Sequence, residues 1–232
     1  MPQLSWRWTS PVDNDKGEAI KRFRRVDKNN NIPENSEKNS LPCPALANSE
    51  LPVFPTLPFA DSTLPLSLDI GCHRGDFLVA LATENPQGNF LGIERQAGRV
   101  ESTRRKITRL ALPNAWALEG NALEVLSQFP SAAIAALHIL FPDPWPKRRH
   151  AGRRLLQPPF IEECIRTLVP GGLLRIATDD IAYAENIASL LLNYPILQPS
   201  PPPLPVFPPT RFQLTFTSLG KPFREFLFIR GN

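Results

Sequence analysis

The sequence predicts an α/β fold with a mostly parallel β-sheet and helices on both of its faces. From Leu66 onward, short apolar runs alternate with helical segments, which is the order that parallel strands with right-handed crossovers require. A turn containing Gly71 and Gly75 joins the first apolar run to the first helical segment. The 232 residues and the 42% hydrophobic content suit one substantial core, and no apolar run is long enough to span a membrane.

The elements follow one another regularly along the middle of the chain. Five strands are predicted at residues 66–70, 89–94, 115–118, 136–141 and 173–178. Five helices are predicted at residues 77–83, 97–111, 121–128, 158–168 and 180–193. Pro170-Gly171-Gly172 is a stop and turn signal after the fourth helix.

The C-terminal segment predicts an antiparallel addition to this sheet. Residues 195–209 contain eight prolines and predict a stiff, extended connection. Residues 212–216 and 223–230 are interpreted as two strands, because apolar residues recur in both and a Gly220-Lys-Pro turn lies between them. Such a pair is a natural antiparallel edge for a parallel sheet.

The chain divides into an extension and one domain. Residues 1–64 are rich in proline and asparagine without sustained periodicity, which predicts an irregular N-terminal extension, and residues 65–232 form the domain. Cys43, Cys72 and Cys164 are odd in number and form no C-x-x-C pair. They predict reduced thiols in a cytosolic setting, and no metal site is expected.

Basic residues are concentrated in two stretches, which favours a polyanionic partner. The net charge is only +4, so their placement matters more than their number. A solvated helix face is the alternative explanation of such runs. The two stretches contain Arg95, Arg99, Arg104, Arg105, Lys106 and Arg109, and then Lys147, Arg148, Arg149, Arg153 and Arg154.

Polar residues at the ends of the first three strands predict a nucleotide-binding crevice. Gly71 allows a ligand to approach the backbone at a helix N-terminus, where N–H groups are free. Glu94 ends the second strand and can accept hydrogen bonds from ribose hydroxyls, while Asn121 can bond an adenine edge. Asp69 suits an ammonium or sulfonium group better than a diphosphate.

The most informative segment is residues 141–154, directly after the fourth strand. Pro142 and Pro144 present the Asp143 carboxylate in an extended loop at the carboxyl edge of the sheet. Trp145 offers a stacking face for a base, and the basic residues after it can hold phosphates. Guanine suits this arrangement, because its N1–H and exocyclic amine can donate to a carboxylate. A core position for Trp145 with solvated arginines is the structural alternative.

These motifs resemble the tRNA (guanine-N7-)-methyltransferase family over about residues 66–230. The resemblance implies a Rossmann-like methyltransferase fold with a seven-stranded sheet and an antiparallel C-terminal strand pair. It also implies methyl transfer from S-adenosyl-L-methionine to N7 of a guanine in tRNA, a guanosine of the variable loop in this family. The motifs that carry it are Asp69–Gly75, Gly92-Ile93-Glu94, residues 141–154, Pro170-Gly171-Gly172 and Ala177-Thr178-Asp179.

The resemblance also implies roles for individual residues. Asp143 would be catalytic. The residues that would contact S-adenosylmethionine are Asp69, Gly71, Glu94, Asn121 and Asp143. Those that would bind the substrate are Lys147, Asp179, Thr210, Arg211, Phe212 and Gln213, and those that would face the RNA are Arg149, His150, Arg153 and Arg154.

Four positions depart from the usual family pattern. The family commonly has Glu where Asp69 stands, Asp where Asn121 stands, Glu where Gln213 stands, and glycine where His73 stands. Asp69 is one methylene shorter than Glu, and Asn121 keeps an acceptor without the charge.

Guanine N7 has a free lone pair at neutral pH, so the reaction needs alignment and electrostatic support rather than a general base. Expected partners are tRNA and no membrane; nothing in the sequence requires a protein partner, and a monomer or homodimer in the cytoplasm is expected. Two alternatives stay open: a non-catalytic RNA-binding subunit, and a methyltransferase for another nitrogen substrate. A nicotinamide oxidoreductase is disfavoured, because the turn lacks the complete G-x-G-x-x-G fingerprint.

Overall fold

The computed structural model describes residues 57–232, with the backbone alone at Arg148, so most of the predicted extension and Cys43 lie outside the described residues. The strands are β1 Leu66–Ile70, β2 Asn89–Glu94, β3 Ala115–Glu119, β4 Ile134–Leu140, β5 Leu168–Thr178, β6 Leu197–Pro199 and β7 Arg224–Arg230. The helices are α1 Asp76–Glu84, α2 Ala97–Arg109, α3 Ala122–Ser127, α4 Pro158–Thr167, α5 Ile181–Leu191 and α6 Arg211–Ser218, with a 3-10 helix at Arg148–Arg153.

The strands form one seven-stranded sheet in the order β3-β2-β1-β4-β5-β7-β6. Strands β1 to β5 are parallel, and β7 runs antiparallel to both β5 and β6. The predicted fold class is therefore confirmed. The order reverses between β1 and β4, and a reversal of this kind opens a crevice beyond the carboxyl ends of the strands.

Helices cover both faces of the sheet. On one face, Phe77 and Leu81 of α1 pack with Val100 and Ile107 of α2. On the other, Phe160 of α4 and residues of α3 and α5 join the larger core cluster. Strand side chains alternate between these two layers, which explains why the parallel strands are apolar on both sides. None of the helices in residues 57–232 has the length and apolar content that crossing a bilayer requires.

The predicted strand at residues 212–216 is wrong, because this segment lies within helix α6. Thr210 and Gln213 form a capping box that starts the helix, a signal of the T-x-x-Q pattern. Phe212 and Phe216 are four residues apart and both contact the Phe141 ring, with ring centroids 5.8 and 5.3 Å away. Apolar residues at 212, 214 and 216 also fit a strand period, which made the pattern ambiguous.

The antiparallel pair at the C-terminal side of the sheet consists of β6 and β7. Strand β6 comes from within the proline-rich segment 195–209 and is the last strand of the sheet. An edge position tolerates Pro199, which has no N–H to donate. Strand β5 begins at Leu168, five residues before the predicted start, and the sheet register shifts between Ile134 and Ala136. The predicted turn at residues 170–172 is thus an irregularity inside a longer strand.

Candidate active site

A cleft of about 1080 Å³ lies beyond the carboxyl ends of β1, β2 and β4, at the point where the strand order reverses. Its two sides come from different parts of the chain. The glycine side contains Gly71, His73, Glu94, Arg99 and Asn121. The proline side contains Phe141, Pro142, Asp143, Trp145, Arg153, Arg154 and Phe212.

The turn after β1 leaves backbone open to the cleft. Gly71 has φ 76°, and a Cβ atom added there would meet no atom within 4 Å. Gly75 has a packing role instead, because a Cβ there would lie 2.2 Å from Cγ2 of Thr103 on α2. His73 between them also has a positive φ of 53°, which is uncommon for a side chain of this size. The turn can therefore seat a ligand at Gly71, while Gly75 joins α1 to α2.

Glu94 is nearly buried at the base of the glycine side. Its carboxylate accepts hydrogen bonds from the backbone N–H groups of His73 at 3.1 Å, Arg95 at 2.9 Å and Gln96 at 3.1 Å. The Arg99 guanidinium lies 3.5 Å from the same carboxylate. Glu94 thus ties the glycine turn to the start of α2, and it presents a fixed acceptor to the cleft.

Asn121 begins helix α3. Its side-chain oxygen accepts hydrogen bonds from the N–H groups of Leu123 at 3.0 Å and Glu124 at 3.5 Å. The oxygen is therefore used by the helix cap, and the amide NH₂ group is left to donate. Such a donor suits a ring nitrogen of adenine. The open backbone at Gly71, the Glu94 acceptor and this donor fit the adenosine part of S-adenosylmethionine.

Asp69 lies below the cleft and is not among its lining residues. Only 4% of the residue is exposed, on the sheet face that also carries His138 and Arg175 in register on β4 and β5. Burial raises the pKa of its carboxyl from 3.8 to about 7, against the opposing charge of Arg175. The Arg175 Nε donates to Glu225 at 2.6 Å. Burial also lowers the pKa of His138 well below its usual value.

Asp143 is the exposed acid of the proline side. Its carboxylate makes no hydrogen bond or ion pair with any residue in the described range 57–232, and it faces the same cleft as Gly71 and Glu94. Phe141 and Trp145, on either side of it, have φ values of 55° and 43°. Both residues precede a proline, which disfavours the right-handed helical region for them. Strain of about 1–3 kcal/mol at each such residue is typical of functional loops.

Trp145 lines the cleft together with a cation. The Arg153 guanidinium lies 5.2 Å from the centre of its ring, and the His150 ring approaches edge-on at 5.8 Å. The Arg149 Nε donates to His150 at 3.3 Å. Lys147, Arg149 and Arg153 are exposed, so all three are accessible to a phosphate backbone.

The structure brings together about half of the residues that the sequence nominated. Thr210 and Gln213 are buried and bond each other across the start of α6, with Thr210 N–H donating to Gln213 at 2.8 Å. Asp179 is exposed just after β5. The nominated residues on the cleft wall are Gly71, Glu94, Asn121, Asp143, Arg153, Arg154 and Phe212; those away from it are Asp69, Lys147, Arg149, His150, Asp179, Thr210, Arg211 and Gln213.

Sequence reasoning missed Phe141, Tyr183 and the part of Arg99 in the cleft. Arg99 lies in the first turn of α2, and the start of a helix that follows a parallel strand meets the ligand crevice, which was the available signal. Phe141 immediately precedes the Pro-Asp-Pro sequence and packs on α6. No local signal marked Tyr183, because its contact with Arg154 joins residues that are distant in the sequence.

Cys72 and Cys164 are free and buried, and burial raises the pKa of both thiols. A raised pKa leaves little thiolate at neutral pH, so neither thiol is suited to act as a nucleophile.

Comparisons with known proteins identify the family of the chain. Residues 63–225 match the family Methyltransf_4, whose description is "Putative methyltransferase". The tRNA (guanine-N(7)-)-methyltransferase of Mycolicibacterium paratuberculosis is 36% identical over 172 residues, which are 72% of this chain and 66% of that protein. The protein of the same name from Bordetella pertussis is also 36% identical over 172 residues, with 72% of this chain and 68% of that protein covered.

A solved structure supports the fold. The aminoglycoside resistance methyltransferase NpmB1 has a TM-score of 0.50 and 21% identity, over 73% of this chain and 89% of that one.

The chain spans about two thirds of the length of the two tRNA (guanine-N(7)-)-methyltransferases named above. From its match to these relatives, the chain belongs to the tRNA (guanine-N(7)-)-methyltransferase family.

Proposed function

We propose that this protein transfers the methyl group of S-adenosylmethionine to N7 of a guanine in tRNA. The observation that carries the proposal is the Asp143 carboxylate, which has no hydrogen bond or ion pair within residues 57–232 and faces the cleft that also exposes Gly71 and Glu94. The names of the relatives from Mycolicibacterium paratuberculosis and Bordetella pertussis, tRNA (guanine-N(7)-)-methyltransferase, support the choice of substrate.

The glycine side would hold S-adenosylmethionine. Glu94 would accept hydrogen bonds from the ribose hydroxyls, Asn121 would donate to the adenine, and the open backbone at Gly71 would admit the ligand. When bound, this donor supplies an electrophilic methyl group on a sulfonium. Asp69 lies below the cleft and does not line its wall, so it would act on the ammonium or sulfonium only in its charged form, above its raised pKa of about 7.

The proline side would bind and orient the guanine. The Asp143 carboxylate would accept from the N1–H and the exocyclic amine, and it would stabilise positive charge as it develops on the purine. The N7 lone pair forms the new bond to the methyl carbon, and the electron pair of the breaking C–S bond stays on sulfur. No proton has to leave N7, so the residues supply alignment and charge.

The exposed basic residues beside Trp145 would grip the sugar-phosphate chain. Lys147, Arg149 and Arg153 are accessible, and Phe212 lines the same side of the cleft as Arg153. Phosphate contacts of this kind give an affinity that falls with salt. Substrate contacts by His150, Asp179, Thr210, Arg211 and Gln213, methylation in the variable loop, action without a protein partner and a cytoplasmic setting stay predictions.

The proposal is tested by incubating the full chain with S-adenosylmethionine labelled in the methyl group and unmodified tRNA, followed by nucleoside analysis. Label in 7-methylguanosine, lost in Asp143→Ala, is the expected result. Label in another nucleoside would replace the assigned position. Binding of tRNA with no transfer would favour the non-catalytic RNA-binding alternative, and label on protein or free amines alone would favour another nitrogen substrate.

A further inference from the structure

Two adjacent arginines of the proline side have opposite surroundings. Arg153 is exposed, and its guanidinium lies over the Trp145 ring, 5.2 Å from the ring centre. Arg154 is half-buried, and its guanidinium points into the protein. The sequence alone nominated both for RNA, since nothing in a run of basic residues separates them.

The Arg154 guanidinium is bonded to the loop that carries Asp143. Its Nε donates to the Pro144 carbonyl at 2.8 Å, and its Nη2 donates to the Trp145 carbonyl at 3.5 Å. These carbonyls directly follow Asp143 in the chain. The loop has prolines at 142, 144 and 146, which have no N–H, so it lacks the donors with which an ordinary loop fixes itself. Arg154 supplies the missing donors from outside.

The guanidinium of Arg154 also stacks on the ring of a buried tyrosine. Arg154 lies 5.1 Å from the centre of the Tyr183 ring, and Tyr183 is 1% exposed in helix α5. The Tyr183 hydroxyl accepts a hydrogen bond from the Leu156 N–H at 3.4 Å. The backbone N–H of Tyr183 donates to the Asp180 carboxylate at 2.7 Å. The ring is thus fixed by the helix cap and the core. A chain of contacts runs from α5 through Arg154 to the strained loop.

We propose that Arg154 is a positioning residue for Asp143, and that it stacks on Tyr183 and holds the Pro144 and Trp145 carbonyls rather than contacting RNA. The role rests on the proposed function only in that Asp143 is the residue positioned. A planar fork with several donors is needed to bond two carbonyls while stacking on a ring. Lysine keeps the charge and lacks that fork, so Arg154→Lys separates the two roles.

Limited trypsin digestion tests whether Arg154 fixes the loop, and the test does not depend on methyltransferase activity. The wild-type loop should resist cleavage after Lys147 and Arg149. Arg154→Lys should raise the rate of cleavage at these two sites about tenfold, because a hydrogen bond to a charged group restrains local opening. Arg153→Lys is the matched control with the same change at the next position, and its rate should equal the wild-type rate. Cleavage after Arg109, on α2, serves as the internal reference. Equal rates for both variants would overturn the proposal.

Kinetics then test the positioning. Arg154→Lys should lower kcat about tenfold to a hundredfold, since displacement of a catalytic group by about 1 Å can cost that much. The KM for tRNA and its salt dependence should stay within about twofold, as expected of a residue that makes no phosphate contact. A raised KM for tRNA that depends less on salt, together with an unchanged kcat, would show that Arg154 binds RNA. This result would reject its proposed role as a positioning residue.

A second pair of variants acts from the other end. Tyr183→Leu removes the ring under the guanidinium and leaves every arginine in place, so it should also speed cleavage after Lys147 and Arg149. Tyr183→Phe keeps the ring and should not. If both tyrosine variants are cleaved at the wild-type rate, the stacking contact does not support the loop. If the wild-type protein fails to methylate tRNA, the digestion result would still decide whether Arg154 fixes the loop.

Discussion

The two sides of the cleft use polar side chains in different ways. On the glycine side, Glu94 accepts three backbone N–H groups and Asn121 caps α3, so the groups that would meet the ligand also hold the fold. On the proline side, Asp143 has no partner within residues 57–232, and its loop is held from outside by Arg154. Changes on the first side should therefore affect stability and affinity together, whereas changes at Asp143 should affect the reaction with the guanine without lowering stability.

The largest expected effect is on Asp143. Asp143→Ala should lower kcat about a thousandfold, equivalent to about 4 kcal/mol of transition-state stabilisation. Its free energy of unfolding should stay within about 0.5 kcal/mol of wild type, because the side chain removed is exposed and has no bonded partner in the described part of the chain. Single-turnover methyl transfer and urea unfolding measure both quantities. A large loss of stability would break the contrast between the two sides.

Asp69 should make stability depend on pH. Its folded-state pKa of about 7 lies above the ordinary 3.8, because burial disfavours the charged form. The folded protein then holds a proton between about pH 4 and 7 that the unfolded chain releases, so the contribution is full below pH 4 and is lost as pH rises through 7.

Asp69→Asn removes this titration without changing the size of the side chain. Relative to wild type, its free energy of unfolding should gain about 4 kcal/mol between pH 4 and pH 8. Urea unfolding across this range measures it. A difference that does not vary with pH would mean that Arg175 keeps Asp69 charged in the fold.

Glu94→Gln should affect both properties at once. Replacing one carboxylate oxygen by an NH₂ group leaves either the His73 N–H or the N–H groups of Arg95 and Gln96 without an acceptor, which costs about 2 kcal/mol of stability. The affinity for S-adenosylmethionine should fall about tenfold in the same variant, as calorimetry would measure. Weakened binding at unchanged stability would indicate that the Glu94 carboxylate serves the ligand and not the fold, as is proposed for Asp143.

The smallest effect concerns the capping box under Phe212. Thr210→Ala should destabilise the protein by about 1 kcal/mol through loss of the helix cap. Gln213→Glu, which restores the common family residue, should preserve the cap and serves as the control. The KM for tRNA should change less than threefold for Thr210→Ala. A tenfold rise in KM at unchanged stability would identify Thr210 as a direct substrate contact.

Much of the fold could be predicted because strand and helix periods are local. The five parallel strands and the helices between them were predicted near their observed bounds, except for the start of β5, which lies five residues earlier. The glycine turn and the Pro-Asp-Pro loop were correctly placed at the ends of strands. Residues 212–216 were predicted as a strand and lie in helix α6, because three apolar residues at alternate positions fit both a strand and the face of a helix that packs on Phe141. Only the tertiary contact decides between these periods.

The sequence by itself determined which chemical groups reach the crevice: a glycine turn, acids at strand ends, and a proline-held carboxylate followed by arginines. The tertiary structure alone decided what each group contacts. It buried Asp69 beside Arg175, joined Thr210 to Gln213, and turned Arg154 inward onto Tyr183 while Arg153 stayed exposed. The physical reason is that residue type and spacing fix a side chain's charge and its element, whereas its solvation and partners depend on residues far away in the chain.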